Sequence, residues 1–149
     1  HSKMGLGRNK AAALQQAMQG LFGVKIDAVP HRLGEDNVEA LLGGADLVLD
    51  CVDNLPTRQL IQRFVRAQEP PTPCLHAALA ADGAYARLMW DPLFDGDAGD
   101  EGQATCEDGE HLPFIAFVAA KLASLVKDTL CFGRQRSVHL HPGGVVEVG

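Results

Sequence analysis

The chain has 149 residues, 46% of them hydrophobic and 21% charged, a size and balance that suit one domain with a sizeable core and exclude disorder throughout. Thirteen basic against nineteen acidic residues leave a formal charge of −6, which argues against nucleic acid and anionic membrane surfaces as partners. No apolar run approaches the roughly 18 residues needed to cross a bilayer, and no secretory signal opens the chain, so a cytoplasmic protein is expected. Cys51, Cys74, Cys106 and Cys131 form no Cys-x-x-Cys pair, which points away from a zinc knuckle and from a disulfide framework.

Residues His1 to Leu6 read as a loose leader without chemistry. From Lys10 to Phe22 the chain is rich in Ala and Gln, with Leu14, Ala17, Met18 and Leu21 on one face, and predicts a helix ended by Gly23. Val24, Ile26 and Ala28 alternate with Lys25 and Asp27, the pattern of a short strand stopped at Pro30. Glu35 to Leu42 predicts a second helix, closed by Gly43 and Gly44. The alternation of helix and strand leading into Asp46 to Cys51 is the signature of βαβ units and a parallel sheet.

The stretch from Ala45 to Arg58 concentrates the chemistry. Leu47, Val48 and Leu49 form a continuous apolar run, as a strand buried on both faces reads, and Asp50, Cys51, Val52, Asp53 and Asn54 follow at its carboxyl end. Ligands of open α/β sheets bind outside the carboxyl ends of strands, so two acids and an amide at this point form a candidate site. Asn54 also suits the N-cap of a helix over Leu55 to Ala67, with Pro56 in its first turn. Arg58, four residues beyond Asn54, either contacts phosphate or pairs with an acid. Asp50 is expected to satisfy backbone donors, and Cys51 to be a core residue.

Downstream, Glu69-Pro70-Pro71-Thr72-Pro73 forces an extended turn before a short strand over Cys74 to Ala78. Asp82-Gly83 then signals a turn, with Ala84 to Trp90 as the outgoing strand of a hairpin-like step. Residues 91–110 hold eight acids and no Lys or Arg, which predicts a solvated, mobile loop; the EF-hand register of ligands does not line up there. Leu112 to Leu130 predicts a helix packing on the sheet or on a second subunit, with Ile115, Ala116, Ala119, Leu122, Ala123, Val126 and Leu130 at helical spacing. Val138, Leu140, Val145 and Val146, around Pro142-Gly143-Gly144, predict a terminal β-hairpin. His139 and His141 share one face of it, which reads as exposed polar surface more readily than as a metal site.

Leu-Val-Leu-Asp-Cys-Val-Asp-Asn-x-x-x-Arg, over Leu47 to Arg58, resembles the strand and turn of the ThiF/MoeB/HesA family, prokaryotic relatives of ubiquitin-activating enzymes. Gly7-Arg8-Asn9-Lys10-Ala11 is similar to the family's helix start, and Ala104-Thr105-Cys106-Glu107 to the segment before its long apolar helix. Order and spacing agree from about residue 5 to about residue 130. The family's opening strand, its Gly-x-Gly-x-x-Gly turn and the acid that binds ribose have no counterpart in these 149 residues. The resemblance implies a single partial domain over residues 1–149: a Rossmann-like α/β mixed sheet with flanking helices, truncated at its N-terminal side and ending in a C-terminal β-hairpin.

The resemblance further implies ATP- and Mg²⁺-dependent adenylation of the C-terminal carboxylate of a ubiquitin-like protein or peptide. Asp53 would hold Mg²⁺ and Lys10 the ATP phosphates, with Asn54 and Arg58 as further nucleotide contacts and Cys106 as the candidate thiol. Each residue also has a plainer reading. Asp53 and Asn54 cap a helix, Lys10 is solvated, and the acids around Cys106 raise its pKa rather than activate it. The rival to an adenylyltransferase is a non-catalytic scaffold binding a ubiquitin-like partner. A homodimer through the helix over Leu112 to Leu130 is expected in either case.

Overall fold

The computed structural model describes residues 9–96 and 111–149. The chain divides into two compact units, His1–Leu33 and Gly34–Gly149. In the first, α1 spans Lys10–Phe22, as its composition predicts; Asn9 caps it by accepting the amides of Ala11 and Ala12 at 2.9 and 3.3 Å. Gly23 ends it in the left-handed conformation at φ 65°. Gln15 reaches back to the Ile26 carbonyl at 2.6 Å, which ties the segment after the helix to the helix itself. That segment is a correction to the sequence reading, because Val24 to Ala28 forms no strand. Alternation proposes a strand but does not supply the neighbour whose ladder would make one.

The second unit is built on a five-stranded sheet in the order β1-β2-β3-β4-β5: Val48–Asp50, Cys74–Leu79, Ala86–Trp90, Ser137–His141 and Gly144–Val148. β1 and β2 are parallel, joined by the crossover helix α3 (Leu55–Ala67), and every later pairing is antiparallel. The short helix α2 (Val38–Leu42) precedes β1; it begins three residues after the predicted Glu35, and a turn occupies Glu35 to Asn37. The hairpin step at Asp82-Gly83 and the terminal hairpin both form as their turn residues predict.

The pleat divides the sheet into two chemistries. Leu75, Ala86, Leu88, Trp90, Val138 and Leu140 share one face and pack with Phe114 and Leu125 of α4 (Leu112–Phe132) into the main core. Only one stripe of α4 enters it: Phe114 and Leu125 are buried, with Val118, Leu122 and Val126 partly so, whereas Ala116, Ala119, Ala123 and Leu130 of the expected stripe face outward. The opposite face carries Asp50, Cys74, His76, Ala78 and Met89, and α3 turns Leu60, Ile61, Phe64 and Val65 inward. β1 is not buried on both faces as its apolar run suggests. Val48 and Asp50 are buried, but Leu49, on the other side of the pleat, is 43% exposed at this end of the sheet.

Candidate functional site

Asp53 and Asn54 occupy the bend between β1 and α3, at the carboxyl end of a parallel strand, and both are exposed. Asn54 is the N-cap of α3: its Oδ1 accepts the Thr57 amide at 3.0 Å, while its Nδ2 lies 3.5 Å from Asp53 Oδ1. The Asp53 carboxylate is otherwise directed outward. Pro56 sits in the first helical turn, where its missing N–H removes no helical bond. Lys10 is the first residue of α1 and exposed, in the other compact unit. Cys106 lies outside the described residues.

Arg58 takes the second of the two roles open to it and turns into the domain. Its Nε donates to Asp50 Oδ2 at 2.7 Å, and Nη2 donates to the carbonyls of Val52 and Ala77 at 2.6 and 2.9 Å. Asp50 is fully buried, and its Oδ1 accepts the Val52 amide at 3.0 Å. Asp50 lies beside His76 in the β1–β2 register, so both side chains rise from one face, and His76 Nδ1 is 2.7 Å from Asp50 Oδ2. The other ring nitrogen, Nε2, is 3.0 Å from Asp91 Oδ1. The fully buried ring thus faces one carboxylate at each nitrogen.

Asp91 also departs from expectation, since the first acid of the predicted solvated loop is buried. It opens a 3-10 turn over Asp91–Leu93 and accepts from Arg66 Nε at 2.7 Å and Gln62 Nε2 at 3.3 Å. Phe94 completes the cluster, stacked on His76 at 4.4 Å between centroids and flanked by the guanidinium groups of Arg58 and Arg87 at 5.4 and 5.1 Å. Burial alone would raise the Asp50 carboxyl, but the His76 hydrogen bond, the Arg58 charge and the Val52 amide outweigh it and hold the pKa below the usual value. Asp91 is treated alike: burial raises it, and hydrogen bonds from Arg66 and His76 bring it down further than burial lifts it.

His76 and Asp91 carry no role predicted from the sequence, although one signal points at them. Arg58, Gln62 and Arg66 recur every four residues and so share one stripe of α3, an unusual run of long polar side chains for the face that packs on a sheet. Cys51 departs from expectation as well. It is exposed rather than in the core, because β1 ends before it, and the surrounding protein and the Asp50 charge both push its thiol up. Among the described residues no group of three or more His, Cys, Asp or Glu is arranged to hold a metal.

A parallel β1–α3–β2 unit with polar residues at the carboxyl end of β1 defines a Rossmann-like α/β domain. The ThiF family matches over residues 1–126, and the chain belongs to that family. Among curated proteins it is similar to the mouse adenylyltransferase and sulfurtransferase MOCS3, 39% identical over 62 residues, 41% of this chain and 14% of that protein. It also resembles the SAMP-activating enzyme E1 of Haloferax volcanii, 31% identical over 80 residues, 53% of this chain and 29% of that protein. The sulfur carrier protein adenylyltransferase of Thermus thermophilus is 40% identical over 57 residues, 38% of this chain and 21% of its own length. Among solved structures, Escherichia coli MccB with ATP aligns over the whole chain with a TM-score of 0.66 at 13% identity, a likeness of fold. The chain spans 49% of that MccB chain. Among the described residues no helix is long and apolar enough to cross a membrane.

Proposed function

We propose that this chain is an ATP- and Mg²⁺-dependent adenylyltransferase-type domain acting on the C-terminal carboxylate of a ubiquitin-like protein or peptide. The observation that carries the reading is the division of labour at β1 in a ThiF-family chain: Asp50 and Arg58 are locked inward, while Asp53 and Asn54 stand exposed at the strand's end. The names of the relatives support it, two being adenylyltransferases and one an activating enzyme. In this reading Asp53 would hold Mg²⁺, and Asn54 contacts the nucleotide while capping α3. Bound Mg²⁺ would neutralise the triphosphate as pyrophosphate leaves. The acceptor carboxylate oxygen bonds to the α-phosphorus and the bond to the β-phosphate oxygen breaks, so the product is an acyl adenylate.

A non-catalytic scaffold binding a ubiquitin-like partner is the second reading. Equilibrium binding of ATP with and without Mg²⁺ separates the two. Mg²⁺-dependent binding that is lost in Asp53→Ala supports the nucleotide site; Mg²⁺-independent binding, or none, supports the scaffold.

A further inference from the structure

The buried cluster beneath the candidate site holds more polar chemistry than the fold requires. β2 otherwise reads Cys-Leu-x-Ala-Ala-Leu, and a buried apolar residue at position 76 would pack there without needing partners. A network of buried ionised groups is at best a weak contributor to stability compared with well-packed apolar side chains, but its hydrogen bonds fix one geometry. What this network fixes is one residue. Val52 has its N–H held by Asp50 Oδ1 and its carbonyl held by Arg58 Nη2, so side chains rather than the sheet ladder secure both of its backbone groups. The Val52 carbonyl belongs to the peptide bond that ends at the Asp53 nitrogen. Fixing that peptide plane fixes the direction in which Asp53 leaves the strand.

We propose that His76 and Asp91 are positioning residues for Asp53: through Asp50 and Arg58 they set the peptide that enters the Asp53-Asn54 bend. The chain of contacts is continuous. Arg66 and Gln62 orient Asp91; Asp91 and Phe94 orient the His76 ring; His76 and Arg58 share the same oxygen of Asp50, which leaves Oδ1 free to accept the Val52 amide. The same Arg58 nitrogen that holds Val52 also binds Ala77, next to His76 on β2, so the two strands are clamped at the level of the bend. These groups act through Val52 rather than by direct contact with Asp53. Their value to function rests on the nucleotide-site reading above, and their effect on Asp53 does not.

Two measurements on the full chain decide the proposal, made on His76→Gln and on Asp91→Asn, the second keeping an oxygen for the His76 ring and Gln62 in case the first variant folds poorly. Amide hydrogen exchange is expected to quicken at Val52 and Asp53 by about tenfold or more, with the hairpin Ser137–His141 and Gly144–Val148 unchanged. Unchanged exchange at Val52, or a rise shared equally by the hairpin, overturns the positioning role and leaves a purely structural network. The Mg²⁺ concentration that half-saturates ATP-dependent stabilisation is expected to rise on the order of tenfold, as when partners that orient a metal ligand are removed. A wild-type chain that does not respond to MgATP defeats the nucleotide reading, and exchange at Val52 still decides whether His76 and Asp91 position Asp53.

Discussion

Asp50 and Asp91 set the residue-scale behaviour of the molecule, because each is buried and ionised through partners rather than through water. Both folded-state pKa values lie below the ordinary 3.8. Their contribution to stability is therefore full above the unfolded value and is lost as pH falls through the depressed folded values. Urea midpoints are expected to hold down to about pH 5 and to drop steeply below about pH 4, less so in Asp50→Asn. Arg58→Met removes the partner of a buried carboxylate and is expected to destabilise by roughly 3 to 5 kcal/mol in urea unfolding. Cys74, buried beside the Asp50 and Asp91 charges, has its thiol pushed up to about 12, first by burial. Iodoacetamide at about pH 8 is expected to label exposed Cys131 in the native protein and Cys74 only after unfolding.

At the scale of elements, the parts legible in the sequence are those whose cause is local. Asn54, Pro56 and the apolar spacing behind them mark both ends of α3 because cap, first turn and stripe all lie within the helix. Gly83 is legible for the same reason, at φ 63° with its amide bonded to the Ala80 carbonyl at 3.0 Å. Gly83→Ala is expected to cost at least about 1 kcal/mol, since a left-handed residue is penalised and the new Cβ would also meet the His111 ring. Asn54→Ala is expected to cost about 1 kcal/mol through loss of the Thr57 cap, read as a lower melting temperature. The illegible parts are set at a distance. Val24 to Ala28 has a strand's alternation without a strand's partner, and Asp91 looks like a loop acid because nothing near it in sequence announces His76, fifteen residues away.

The second unit joins a sheet with one apolar and one partly ionic face to a candidate site at the edge where β1 ends. Fold is read from packing, and function from the few side chains at that edge. Leu112, Phe117, Leu130 and Phe132 of α4 are exposed, and we propose that a second copy docks on this helix. Light scattering at high concentration is expected to report a dimer, and a monomer would reject that assembly.

The most direct test of the central claim is thermal unfolding with and without MgATP, on the wild-type chain and on Asp53→Ala. Ligand at about 100 times its dissociation constant adds roughly 2.7 kcal/mol, which for a domain of this size raises the midpoint by about 5 to 10 °C. The midpoint is expected to rise in the wild type and to stay put in Asp53→Ala. An equal rise in both proteins, or no rise in either, would contradict it.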